Sequence, residues 1–220
     1  MKKLIVAAVA VTCAVGVFAQ GTVTFNNRVV GSIVTHVYAP LAGTPTATQI
    51  GNGSLDTPLG TTSWAGYTLI GTALAGQYGG QTTIAQLLSG PGSGLPESSL
   101  LPQPTGLATF RTGAAAGFIN GGVTATLSNV GTDAPATLEM VAWDNSSGNY
   151  GSWGLAQVAW RNGLIAAGVS GTWNSTVGGT ATPPNITGAQ SFNLYFVPEP
   201  STFALAGLGA AALLIFRRRK

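Results

Sequence analysis

The chain has 220 residues, enough for one ordinary domain or two small ones. Only 7% of the residues are charged, whereas a soluble domain usually carries about 25%. Hydrophobic residues make up 45%, which is too much apolar surface for a solvated, disordered chain and excludes that class.

The net charge of +3 comes from cations at the two ends of the chain. No lysine occurs between positions 4 and 219, and residues 20–197 hold three arginines against five acidic residues. A nucleic-acid surface needs clustered Lys and Arg to neutralise phosphates. This distribution therefore excludes nucleic acid as a partner.

The N-terminus has the three parts of a secretory signal peptide, predicted over residues 1–19. Lys2 and Lys3 precede an apolar run from Leu4 to Val17, and the order Val17-Phe18-Ala19 favours cleavage by signal peptidase between Ala19 and Gln20. The alternative, a transmembrane anchor, needs a longer run. The single cysteine lies inside this segment, so we expect a cysteine-free mature chain without disulfides, thiol nucleophile or Cys-bound metal.

Residues 20–197 consist of short apolar or β-branched runs separated by Gly, Pro, Asn, Ser and Thr. This spacing predicts an all-β body, an antiparallel β-sandwich or jelly roll. The predicted strands are Thr22–Val29, Ile33–Ala39, Tyr67–Ile70, Thr82–Leu88, Gly106–Thr112, Val123–Val130, Leu138–Trp143 and Ser191–Val197.

Two other segments of the body have a recognisable character. Leu155, Val158 and Ala159 share a face at helical spacing, which predicts one short helix over Trp153–Trp160. The stretch from Ser89 to Thr105 is rich in Pro, Gly and Ser and is predicted to be a surface loop.

The body offers little catalytic machinery, so we expect a non-enzymatic domain without catalytic residues, metal or cofactor. Its one histidine, His36, lies in an alternating run and is interpreted as a strand histidine whose hydrogen bonds are satisfied nearby. No HExxH or phosphate-loop motif occurs. Two carboxylates, Glu97 with Glu139 or Asp144, leave a secreted glycoside hydrolase or lyase open, because glycosidases use such a pair.

Four of the five tryptophans fall in one stretch of the body, which suggests a second alternative, a carbohydrate-binding module. Trp143 is out of phase with Leu138 and Met140, and in a sandwich that opposite face is usually solvent-facing. Exposed indoles stack on sugars, whereas buried ones fill a core. The candidate carbohydrate contacts are Trp143, Trp153, Trp160 and Trp173.

The C-terminus, residues 198–220, combines a short motif, an apolar segment and a basic end. Pro198-Glu199-Pro200 is followed by Phe203–Phe216, whose length as a helix would be about 21 Å against a bilayer core of about 30 Å. The basic cluster Arg217, Arg218, Arg219 and Lys220 acts as a stop-transfer signal and keeps the tail cytoplasmic by the positive-inside rule.

This arrangement resembles the PEP-CTERM sorting signal of exosortase substrates, and the body also resembles uncharacterised proteins of that kind. The resemblance implies that an exosortase, a membrane-embedded transpeptidase, recognises Pro198, Glu199 and Pro200 and removes the tail. It also implies a single-pass inner-membrane intermediate, display at the cell surface or outside the cell, and association with exopolysaccharide in biofilms. The alternative is a plain C-terminal anchor.

Overall fold

The structure is a computed structural model that describes residues 19–179 and 182–198. The predicted signal peptide before Ala19 lies outside the described residues. So do Glu199, Pro200, the apolar segment Phe203–Phe216 and the basic cluster. Within the described part, no helix is long and apolar enough to cross a membrane.

The described body is built of strands with one α-helix, which confirms the all-β class. The helix, α1, covers Trp153–Arg161 and matches the predicted segment to within one residue. In chain order the strands are β1 Gln20–Phe25, β2 Arg28–Val29, β3 Ile33–Val34, β4 Val37–Tyr38, β5 Thr83–Pro91, β6 Leu101–Thr109, β7 Val123–Gly131, β8 Pro135–Asp144, β9 Ala167–Thr176 and β10 Phe192–Asn193.

The largest sheet has four antiparallel strands in the order β6-β5-β8-β9. A second, antiparallel pair joins β1 to β7, and the short strands form the pairs β2–β3 and β4–β10, the latter parallel. Whether the body is a sandwich or a jelly roll stays a prediction.

One hydrophobic core lies between the β1–β7 pair and the large sheet. Alternate residues of β1, Val23 and Phe25, are fully buried with Leu127 of β7 and with Leu87 and Met140 of the large sheet. Because side chains of a strand alternate between its faces, the intervening residues of β8 must lie on the other side of the sheet.

That other side carries a second core, which α1 covers. Val141 and Trp143 of β8 pack there with Trp153, Ala156 and Trp160 of the helix. On the outer side of α1, Leu155 and Val158 remain 58% and 61% exposed. The alternation of residues in β8 would predict that this face of the large sheet is exposed to solvent. Helix α1 covers it, so the face is buried as a second layer.

Two predicted elements differ in kind from the structure, and one strand of the structure was not predicted. The segment Ser89–Thr105 is not one loop, because β5 continues to Pro91 and β6 begins at Leu101; Pro102 and Pro104 are tolerated since β6 is an edge strand of its sheet. Tyr67–Ile70 forms no strand and contributes only a single bridge between Leu69 and Tyr38. Strand β9 was not predicted, because Gly168 and Gly171 interrupt its apolar pattern.

Candidate functional site

The four tryptophans predicted as carbohydrate contacts are all buried, with exposed fractions of 0% for Trp143, 4% for Trp153, 7% for Trp160 and 9% for Trp173. The indole N–H of Trp143 donates to the carbonyl of Tyr150 at 2.6 Å, and that of Trp160 to Tyr195 at 2.9 Å. The expectation that these indoles offer a flat face to a sugar is therefore wrong. They fill cores instead.

Of the three carboxylates considered for hydrolysis, the fold brings two near each other. Glu139, on β8, is 1% exposed, and its Oε2 has no hydrogen-bond partner among the described residues. Burial, and then the negative charge of Glu97, raise the pKa of Glu139 to about 8. Asp144 lies five residues further along the same strand, roughly 17 Å away, and so cannot share their site.

Asp144 has a local structural role. Its Oδ1 accepts from the backbone N–H of Ser146 at 3.0 Å, and its Oδ2 accepts from the hydroxyl of Ser146, also at 3.0 Å. This is a turn that a short polar side chain stabilises at the end of a strand. In the described part of the chain, no group of three or more His, Cys, Asp or Glu residues could hold a metal ion.

The described body contains a pocket of about 430 Å³ between the β4 region and the loop that follows it. Its volume lies in the range of small-molecule sites. The wall combines aromatic rings with hydroxyls and contains Trp64, the one tryptophan outside the sequence cluster. The lining side chains that matter chemically are those of His36, Tyr38, Asp56, Ser63, Trp64 and Tyr67.

His36 and Asp56 form the polar floor of this pocket. The imidazole Nδ1 lies 2.6 Å from Asp56 Oδ1. The other carboxylate oxygen, Oδ2, accepts from the backbone N–H of Gly53 at 2.6 Å and from the hydroxyl of Ser191 at 2.8 Å. Both oxygens of the buried carboxylate are thus engaged, and its function is to fix the orientation of the His36 ring.

The second ring nitrogen of His36, Nε2, makes no hydrogen bond within the described residues. The His36 side chain is 11% exposed and lines the pocket. With Nδ1 engaged by Asp56, Nε2 is the atom through which His36 can bind a ligand.

The aromatic wall is held rigidly. The rings of Tyr38 and Trp64 stack at 4.2 Å with an interplanar angle of 9°, and Tyr67 packs edge-on against Trp64 at 5.1 Å. The indole N–H of Trp64 donates to the carbonyl of Gly51 at 3.1 Å. Burial, and then the charge of Asp56, raise the pKa of Tyr38 to about 12, so its phenol keeps its proton and stays a donor.

Sequence reasoning missed this pocket because its parts come from separate segments. His36 lies between β3 and β4, Asp56 follows twenty residues later, and Ser191 is 135 residues beyond Asp56. Only the spacing of Tyr38, Trp64 and Tyr67 outside the tryptophan-rich stretch could have drawn attention to it. No spacing rule connects those residues to His36.

The end of the body determines how the C-terminal segment leaves it. Tyr195 exchanges two backbone hydrogen bonds with Ala167, and Phe196 donates to the carbonyl of Pro45 at 2.9 Å. Val197 still packs on the second core, whereas Pro198 is exposed. Val197, which packs on the body, is therefore followed directly by the exposed first residue of the Pro-Glu-Pro motif.

Comparison with known proteins assigns this segment. A model of the PEP-CTERM protein-sorting motif matches residues 196–220. The chain thus carries the sorting motif that its C-terminus resembles, and this motif implies an exosortase as partner. The motif implies export and a membrane-anchored intermediate on the way to the cell surface. No curated protein and no solved structure matches the chain.

Proposed function

We propose that this is a non-enzymatic extracellular protein that associates with exopolysaccharide after exosortase processing. Signal peptidase first removes the leader before Gln20. The segment Phe203–Phe216 then holds the chain in the inner membrane until the exosortase acts at Pro198, Glu199 and Pro200. The body remains at the cell surface or in the surrounding polysaccharide.

The main support for this proposal is the position of the motif directly after the folded body. Val197 is packed on the body and Pro198 is exposed. An enzyme in the membrane can reach the motif without unfolding the domain. Because Pro198 is only five residues from Phe203, and an extended chain spans at most about 3.6 Å per residue, the body lies close to the membrane before cleavage.

A binding role for the body, rather than catalysis, agrees with the state of its titratable groups. Both oxygens of Asp56 are engaged by internal donors, and no described hydroxyl donates to Nε2 of His36. Glu139 is buried, does not line the pocket at His36, and keeps its proton up to a pH of about 8. A nucleophile activated by an adjacent base needs a different arrangement.

The processing step is tested by expressing the full chain in a host that contains an exosortase and in the same host without it. Mass spectrometry of the surface fraction should find the mature chain without Phe203–Lys220 only where the exosortase is present. Replacing Pro198 and Pro200 by alanine should leave the tail attached. Mature wild-type protein that retains the tail in the exosortase host would contradict the proposal.

The body supplies a matched control for that experiment. Pro102 and Pro104 have the same Pro-x-Pro spacing and are both exposed. Replacing them by alanine makes the same chemical change away from the membrane, and processing should remain at the wild-type level. Association with polysaccharide is tested separately, by asking whether processed wild-type protein co-purifies with extracellular polysaccharide and is released when that polymer is digested.

A further inference from the structure

The pocket at His36 has the features of a site for a neutral sugar residue. It combines a half-buried indole platform with hydroxyls and an imidazole nitrogen, all on its wall. Pyranose rings present an apolar face of C–H groups together with a rim of hydroxyls. An aromatic platform beside a few convergent polar groups matches both parts of such a ligand.

The platform is preorganised for binding. The Tyr38 ring covers one face of the Trp64 indole at 4.2 Å. The Tyr67 ring packs against the same indole at an interplanar angle of 77°, so the indole cannot rotate freely. The backbone N–H of Tyr67 donates to the carbonyl of Trp64 at 3.2 Å, which fixes the loop between them. A rigid wall lowers the entropy that a ligand loses on binding.

The charges around the pocket favour a neutral ligand. No lysine or arginine lines it, so a phosphate or uronate would find no ammonium or guanidinium group among the lining residues. Asp56 is 3% exposed and both of its oxygens accept internal hydrogen bonds, so it is not available to pair with a cationic ligand. Because Tyr38 and Trp64 cover one another, they do not form the open aromatic cage that a quaternary ammonium requires.

The polar groups that remain can bind hydroxyls. Nε2 of His36 makes no hydrogen bond within the described residues, and Ser54, Thr62 and Ser63 also line the pocket. The phenol of Tyr38 adds a donor. Sugar hydroxyls act as donors and acceptors at once, and this set contains both kinds of partner.

We infer that the pocket formed by His36, Tyr38, Trp64 and Tyr67 binds a neutral pyranose residue, stacked on Trp64 and hydrogen-bonded through Nε2 of His36. This inference deepens the proposed function, because it rests on the association with polysaccharide and assigns that association to one site. The site is distinct from the four buried tryptophans, whose indoles are closed to ligands.

The test uses the indole N–H signals of the protein as internal reporters. The protein is purified as it leaves the exosortase host, in detergent where the tail is retained, and labelled with ¹⁵N. Methyl glycosides of glucose, galactose, mannose and N-acetylglucosamine serve as probes. At least one should shift the Trp64 signal saturably, while the signals of the four buried tryptophans stay in place.

Trp64→Ala assigns the signal, because its indole N–H resonance is the one that disappears, and the remaining four signals show whether the body is folded. Ser63→Ala tests the pocket contact itself, because Ser63 is exposed on the pocket wall; it should weaken the response several-fold. Ser147→Ala, the same change in an exposed turn, should leave the response unchanged. Absence of any shift with all four glycosides, or a shift with choline or inorganic phosphate instead, would overturn the inference.

The two proposals can fail separately. If wild-type protein co-purifies with polysaccharide and Trp64→Ala does so equally well, the pocket assignment is wrong and the association stands. If wild-type protein does not co-purify, the association is wrong, and the glycoside titration still decides whether the pocket binds a sugar.

Discussion

The indole rings of Trp143 and Trp153 lie 5.7 Å apart, centroid to centroid, and join strand β8 to helix α1. Trp160 continues the contact at 5.9 Å from Trp153 and reaches Tyr195 at 5.1 Å. Three indoles therefore connect the large sheet, the helix and the last residues before the sorting motif. This aromatic row is the centre of the second core.

Trp153 should consequently contribute strongly to stability. We expect Trp153→Ala to lower the free energy of unfolding by about 3–5 kcal/mol, because it removes a buried ring between two others. Leu155→Ala is the matched control in the same helix. Leu155 is 58% exposed, so its replacement should change stability by less than about 0.5 kcal/mol. Urea denaturation followed by circular dichroism measures both, and equal losses would contradict the assignment of a second core.

The residues of this aromatic row show which features of the fold the sequence predicted and which it could not predict. The alternation in β8 correctly separated Trp143 from Leu138 and Met140. The helical spacing located α1 but chose the wrong face, because Leu155 and Val158 are exposed. What sequence could not supply was that α1 folds back over that outer face. Helix docking depends on tertiary packing, whereas strand periodicity is a local property. The pocket was missed for the same reason, since Asp56 and Ser191 meet His36 only in the folded chain.

Glu139 should make the stability of the body depend on pH. Its pKa is raised from 4.5 to about 8 by burial and by Glu97, so the folded state binds a proton that the unfolded state releases between these values. The stabilising contribution is therefore complete below pH 4.5 and is lost as the pH rises through 8. We expect a decline on the order of 4 kcal/mol in the free energy of unfolding from pH 5 to pH 9.

Glu139→Gln keeps the shape of the side chain and cannot ionise, so the decline with pH should largely disappear. Glu97→Gln removes only the neighbouring charge from an exposed position, so the pKa of Glu139 should fall and the loss of stability should end at a lower pH and become smaller. Urea titrations at several pH values compare the three proteins. An unchanged pH profile in Glu139→Gln would show that another group is responsible.

Two glycines should respond to alanine in opposite directions. At Gly168 of β9, a Cβ atom would lie 2.9 Å from the carbonyl carbon of Asn193 and closer still to its oxygen, so β9 would have to move away from β10. At Gly154 of α1, nothing lies within 4 Å of the added atom, and the residue is exposed.

We expect Gly168→Ala to destabilise the protein by about 1–3 kcal/mol. Gly154→Ala should stabilise it by about 0.5–1 kcal/mol, because alanine restricts the unfolded chain and favours helix. Thermal unfolding of the two variants measures the difference, and destabilisation by Gly154→Ala would contradict the packing described for α1.

Because lysine occurs only in the two terminal segments, the number of amine labels on the protein reports on processing at both ends. Lys2 and Lys3 belong to the predicted leader, Lys220 to the tail, and no lysine lies between them. After both cleavages the only primary amine left is the α-amine of the new N-terminus. An amine-reactive reagent should therefore add at most one label to the mature protein, as measured by intact mass. Protein from a host without the exosortase should accept one more label, on Lys220. A label on Lys2 or Lys3 in the surface fraction would contradict removal of the leader. A label on Lys220 in the exosortase host would contradict removal of the tail. A single mass spectrum therefore distinguishes the two steps.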